Sequence, residues 1–392
     1  VFTDIDSNLN FADIAWMITA TIFVLMMTPG LSFFYGGMVR SKNVISTMLQ
    51  SFIAMGVISV IWVVVGFSLA FGEDVGHFIG NPGTFFMFVN VGGATDKLLA
   101  PTIPLALYAL FQMKFAIITP SLITGSFAER VRFSGYLVFM ILFCIFVYCP
   151  LAHWTWHPDG FLRQMGVLDF AGGIVVHASS GVAALAGAIF LGRRKESGQP
   201  ANIPFVLLGA AMLWLGWFGF NAGSSLAANS IAVKAFLNTN TASATAMMTW
   251  VVFDCLRGRK PSAMGAAIGA VVGLVAITPS AGYVTVGESI FIALVVTVIC
   301  NMAVSWKNKK NSFDDALDVF PTHGVGGIVG TIMTGIFVYN ATENITYWQN
   351  LLNHIIAVVI VCGYTFIVTY ALYWITAVSY THLRAHETRS NL

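Results

Sequence analysis

The chain has 392 residues, 57% hydrophobic and only 9% charged, with a formal net charge of +2 and a mean hydropathy of +0.80. A soluble domain carries about 25% charged residues, so a soluble fold is excluded, and the near-neutral balance gives no footprint for nucleic acid. What remains is an integral membrane protein whose many long apolar runs make it all-α and polytopic.

In chain order, the first ten residues, VFTDIDSNLN, are polar and acidic, with no signal-peptide apolar region. The chain opens on Val1 rather than Met, which fits either a cleaved signal or a trimmed terminus. Eleven transmembrane helices are predicted, near 11–38, 44–71, 102–127, 133–153, 169–191, 203–227, 239–256, 262–284, 287–305, 320–339 and 351–378. Alternate loops carry Arg40 and Lys42; Arg130 and Arg132; Arg193, Arg194 and Lys195; Arg257, Arg259 and Lys260; and Lys307, Lys309 and Lys310. The opposite loops hold only Lys97, Arg163 and Lys234. Basic loops stay on the cytoplasmic side, so the N-terminus lies outside and the C-terminus inside. Residues 379–392 (SYTHLRAHETRSNL) turn abruptly polar. They are set apart as a tail, non-native or disordered, from a single membrane domain over 1–378.

The halves echo each other. Ile118-Thr119-Pro120-Ser121 in span three recurs as Ile277-Thr278-Pro279-Ser280 in span eight. Asp169 and His177 in span five recur loosely as Asp318 and His323 in span ten. Both matches are offset by five spans, and an odd offset inverts one half relative to the other. The expectation is an inverted five-helix repeat plus a final helix, with the substrate path at the repeat interface.

Ionisable groups inside spans mark function. His177 sits about 12 Å below Asp169 at 1.5 Å per residue, and His323 is its counterpart. Two neutral rings sharing a hydrogen bond make a polar thread through hydrocarbon. A structural contact between helices is the plain alternative, and axial ligation of haem is another. No Cys or Glu completes a zinc site, and the five cysteines form no CxxC pair. Asp169 suits a helix N-cap, and equally a fixed charge favouring a cation outside. Trp156, the Phe111/Phe115 pair and Phe220 with Ser224 offer aromatic faces and a hydroxyl to a cation. Lys114 is the only basic residue inside a span; it snorkels or pairs with a carboxylate.

The stretches PGLSFFYGG (29–37), FAIITPSLITGSFAER (115–130), DFAGGIVVH (169–177), GWFGFNAGS (216–224), RKPSAMGA (259–266), ITPSAGYV (277–284) and DDALDVFPTHGVGGIVGTIMTGIF (314–337) together resemble the Amt/Mep/Rh ammonium transporters, in their bacterial-type Amt branch. The resemblance covers about Phe11 to Ala377. It implies an ammonium channel of the inner (plasma) membrane, not an enzyme, without cofactor or bound metal, built as a homotrimer with one pore per protomer. By the same likeness, Trp156 and Ser224, with Phe115, form the outer ammonium-recruitment site. Phe115 and Phe220 are the gate. His177 and His323 line the pore. Asp169 shapes the recruitment site and assists deprotonation.

Two departures stand out: Ile174 where the family usually has Thr, and Lys114 beside the gate Phe. The family's usual cytoplasmic tail, which couples protomers and helps PII-type signal proteins dock, is not recognised here, so that partner is in doubt. The likeness admits a second class, the ammonium-sensing membrane domain of a larger signalling protein. The full aromatic and histidine set favours a working pore, since a sensor need not keep the inner histidines. A haem protein would show a Soret band.

Overall fold

The computed structural model describes residues 6–194, 198–310, 313–338 and 345–379. It is all-α apart from a two-residue hairpin, Asp74–Val75 against Ile79–Gly80. Among the described residues, eight helical rods are long and apolar enough to cross a membrane: Phe11–Met38, Ser41–Phe71, Leu105–Phe127, Phe133–Gln164, Gly173–Leu191, Ile203–Ala222, Val286–Lys310 and Tyr347–Ala377. The other three of the expected eleven are Ser230–Leu256, Ala263–Ile277, and the turn Phe320–Gly324 running into Val325–Phe337.

Two of these depart from the predicted bounds for local reasons. The seventh span starts at Ser230, not near 239, because the Asn229 side chain accepts from the Ile231 and Ala232 amides and caps it there. Its polar residues hid the first turns: Asn238 is fully buried and donates to the Ala281 and Val284 carbonyls. Those carbonyls belong to the turn after the eighth span. That span stops at Ile277 rather than near 284, where Pro279 has no N–H with which to continue the helix.

The repeat is visible in the packing. The third span rests on the first, second and fifth; its counterpart, the eighth, rests on the sixth, seventh and tenth, and also on the ninth. The fifth and tenth spans each open on a π turn, Gly173–Ala178 and Phe320–Gly324, and each turn packs on the α-helical part of the other. They cross with backbones almost touching. A Cβ on Gly181 would lie 2.1 Å from the Gly324 Cα, and one on Gly327 2.6 Å from the Ala178 amide nitrogen. Small residues are what allow such approach in a bilayer. This crossing brings His177 and His323 together.

The inner loops are clamped by charge. Glu129 accepts from the Arg40 amide and Nε, both at 3.0 Å, and from Asn43 Nδ2 at 2.7 Å. Arg194 reaches Glu129 at 3.4 Å and closes on Asp314 at 2.7–2.9 Å through three donors. Arg130 donates to the Ser126, Gly192 and Asp314 carbonyls. Burial alone would raise the Glu129 and Asp314 carboxyls, but these bonds hold both below the ordinary range.

Two outcomes follow. Gly181→Val yields little folded protein on size exclusion in detergent, whereas Gly363→Ala, whose Cβ meets nothing within 4 Å, leaves the yield unchanged. Because the folded carboxyls sit below their unfolded values of about 4, their contribution is present above that pH and is lost as pH falls through the folded values. Thermal midpoints therefore drop below about pH 4. Glu129→Gln lowers the midpoint at neutral pH, a loss on the order of 3 kcal/mol, and flattens that acid drop.

Candidate functional site: an aromatic cup above a histidine-lined cavity

Trp156 ends the helix Cys149–Trp156 at the outer face. Its indole N–H donates to the Asp169 carbonyl at 2.9 Å. Phe115 meets the indole edge-on, ring centroids 5.8 Å apart at 86°. Phe220 stacks on Phe115 at 4.2 Å and 25°, and both rings are buried. Ser224 donates its hydroxyl to the Phe220 carbonyl at 2.8 Å. That engages its proton and leaves oxygen lone pairs as acceptors. The result is a cup with two aromatic walls and a hydroxyl oxygen, floored by a stacked phenyl pair.

Asp169 stands between this cup and the fifth span. One carboxylate oxygen accepts the Gly172 and Gly173 amides at 2.8 and 2.6 Å; the other accepts Ile174 and Val175 at 2.8 and 3.2 Å. Gly172 takes φ +115° to bring its own amide round, a conformation open to glycine. So the cap expected from sequence is present and takes four donors. The Ile174 departure is neutral to it, since Ile174 contributes through its backbone and its side chain is buried.

Beneath the phenyl floor, His177 and His323 face each other with Nδ1 atoms 3.3 Å apart. One Nδ1 must donate and the other accept, so the two rings are not both imidazolium. His177 Nε2 is buried with no partner among the described residues. Trp217 lies parallel to the His177 ring at 5.2 Å and 19°, and its indole N–H is held by Thr278 Oγ1 at 2.9 Å. The rings border a narrow cavity of about 10 Å³, room for roughly one water-sized molecule. Its other walls are apolar, among them Leu31, Ile118, Leu213 and Val271.

Ring contacts run in order from Trp156 to Phe115, Phe220, His177 and His323, with Ser224 bonded to the Phe220 carbonyl, Asp169 to the Trp156 indole, and Phe111 packed on Phe115 at 5.0 Å. Lys114 is outside this series. It is buried beside Phe115 with its ammonium 3.8 Å from Met113 Sδ, and of the two roles read from the sequence the carboxylate pairing is not found among the described residues. Trp217 and Thr278 were missed as site residues. The recurrence of Ile-Thr-Pro-Ser marked Thr278, but nothing local said that its hydroxyl holds an indole against a histidine.

A helical membrane protein with inverted halves, whose two broken spans meet at a buried histidine pair beneath a stacked phenyl pair, has the architecture of a transporter. The chain belongs to the ammonium transporter family, whose model, the Ammonium Transporter Family, matches residues 15–391. It is 41% identical to an ammonium transporter of Bacillus subtilis, over 98% of this chain and 96% of that protein. It is 40% identical to ammonium transporter Amt1 of Archaeoglobus fulgidus, over 92% and 91%. Among solved structures it is similar to Candida albicans Mep2, with a TM-score of 0.90 and 36% identity, covering 98% of this chain and 88% of that one. It is also similar to a protein described as a sensor Amt protein, with a TM-score of 0.88 and 29% identity over 96% and 95%.

Thr278→Val frees the Trp217 indole, which leaves a buried donor unpaired at about 1–3 kcal/mol and lets the ring tilt off His177. The expected result is a lower thermal midpoint, with transport slowed more than substrate affinity is weakened.

Proposed function

We propose that this chain conducts ammonium inward by recruiting NH4+ in the outer cup, removing its proton, and passing NH3 along His177 and His323 while the proton crosses separately. The observation that carries the reading is the vertical order of groups. Trp156 and Phe115 stand over the stacked Phe115–Phe220 pair, and below that pair a small, mostly apolar cavity is bordered by His177, whose buried Nε2 has no partner among the described residues.

Each layer has a physical task. Aromatic faces attract a desolvated cation by about 2 kcal/mol or more, and Ser224 accepts an N–H bond that K+ cannot offer. This is how the cup separates two ions of similar size and charge. Phe115 and Phe220 keep bulk water out of the passage. A dry, apolar passage disfavours the charged form of the solute, so NH3 is the species that fits. Either tautomer of the histidine pair leaves His177 Nε2 able to accept from NH3 or to donate to it.

Asp169 works by position in this scheme. Its two oxygens already take four backbone N–H groups, so it acts by fixing the cup and by its field rather than by stripping the proton itself. Residues 1–378 form the transporting domain, assembled as a homotrimer in the plasma membrane with each protomer carrying its own pore. Docking of a PII-type signal protein lies outside this reading: the tail it would need is not recognised in the sequence, and residues 380–392 fall outside the described residues.

The second reading, ammonium sensing with little flux, is supported by the likeness to the sensor Amt protein. Uptake of methylammonium by cells lacking their own transporters separates the two: robust uptake supports transport, and binding without uptake supports sensing. On solid-supported membranes an ammonium pulse gives a current; its absence leaves only neutral NH3 flow.

In the same assays His177→Asp loses selectivity and conducts K+ as well as ammonium, because a carboxylate in the cavity admits cations. Selective, undiminished uptake by that variant would sink the pore role. Asp169→Ala, which strands four amides, cuts uptake by at least roughly tenfold and lowers the yield of folded protein.

A further inference from the structure

Outside the pore, the outer face carries a cluster of three histidines and two aspartates that the proposed path does not use. His153 lies one turn before Trp156 on the same short helix and is fully buried. Its Nδ1 is 2.9 Å from the Ala70 carbonyl oxygen, and its Nε2 is 2.9 Å from Asp74 Oδ1. A carbonyl can only accept, so Nδ1 carries a proton. The other carboxylate oxygen of Asp74 accepts the His77 amide at 3.1 Å. An aspartate is ionised at neutral pH, so Asp74 faces Nε2 as an acceptor. Both ring nitrogens of the buried His153 therefore face acceptors, an arrangement that an imidazolium fits.

The neighbouring ring agrees. His157 stacks on His153 at 4.4 Å and 16°. Its Nδ1 accepts the Asp159 amide at 3.1 Å, as a neutral ring does. Asp74 belongs to the outer hairpin, which grips the same helix and the turn after it at further points. Trp154 donates its indole N–H to the Phe78 carbonyl at 2.7 Å, His77 Nδ1 meets the Asp159 carbonyl at 2.7 Å, and the Phe161 amide donates to the His77 carbonyl. The end of the helix that presents Trp156 is thus held by the hairpin, and the charged bond in that hold depends on one proton.

We infer that His153 and Asp74 form a proton-dependent clamp that positions Trp156, so that ammonium recruitment weakens as the outside turns alkaline. This rests on the recruitment reading of the cup. The groups facing the pair are His77 from the hairpin and His157 and Asp159 from the turn; Asp96 adds its field at His157. At low pH the imidazolium is present and the clamp is closed. As pH rises the ring loses its Nε2 proton, a lone pair then faces the carboxylate, and the hairpin loosens from the helix. Asp74→Asn replaces the ion pair by a neutral one, since an amide N–H can donate to neutral Nε2 while the amide oxygen still accepts from His77. His153 and Asp74 are positioning residues, so they act on affinity and not on the conduction step.

Two measurements on the full chain in lipid nanodiscs and proteoliposomes test this. Between about pH 6 and about pH 9, where histidine rings titrate, apparent KM for methylammonium rises roughly fivefold in the wild type with kcat little changed, and stays flat in Asp74→Asn. Over the same range, amide exchange in residues 72–81 and 154–161 accelerates in the wild type beyond its intrinsic pH dependence, and does not in Asp74→Asn. Identical KM profiles in the two proteins, or no excess exchange in the wild type, overturn the clamp. If the wild type takes up no methylammonium, the recruitment reading fails on its own, and exchange alone decides whether the proton-dependent clamp exists.

Discussion

A backbone N–H has no water to bond with in hydrocarbon, and each one left unpaired costs several kcal/mol. The fifth span opens on a π turn deep within the protein, and four of its first amides end on the single carboxylate of Asp169. The rest of the site hangs from this one arrangement. It lets the helix begin on a buried first turn, the turn that carries His177. It fixes the Asp169 carbonyl that takes the Trp156 indole, and it aims His177 at His323. A carboxylate that seems an obvious proton acceptor by its type is fully occupied as a cap.

Close backbone approach does the complementary work. Gly181 against Gly324 and Gly327 against Ala178 leave no room for side chains at the crossing of the two broken spans. Helices in a bilayer gain nothing from hiding apolar surface, since lipid is as apolar as they are, so contact depends on small residues and shape. The two histidines meet because their backbones can. Trp217 then completes the cavity wall, held flat against His177 by the Thr278 hydroxyl.

The cup and the cavity ask for opposite media. In the proposed path a cation is favoured above, where aromatic faces and a hydroxyl oxygen replace its water, and disfavoured below, where the walls are mostly apolar. The stacked Phe115 and Phe220 separate the two. The charge networks sit away from this axis: Glu129 and Asp314 with their arginines at the inner loops, His153 and Asp74 at the outer hairpin. Both hold the ends of spans whose middles carry almost no charge, away from the histidine pair.

Composition and the alternation of basic loops determined by themselves that the chain is helical, spans the membrane many times and has its N-terminus outside, because the bilayer permits few alternatives. The five-span offset of Ile-Thr-Pro-Ser also declared the inverted halves, and a histidine inside an apolar run is conspicuous by its cost. Polar spans were harder. The early start of the seventh was hidden because Asn238 reads as loop until its partners, the Ala281 and Val284 carbonyls, are seen. Only the tertiary structure decided that Asp169 is saturated by amides, that Trp217 is pinned by Thr278, and that His153 lies between two acceptors. Each of those facts depends on an atom supplied by backbone folded back at an angle, or by a helix far away in sequence. Residue type says what a group is able to bond with; packing decides which partner remains once water is gone.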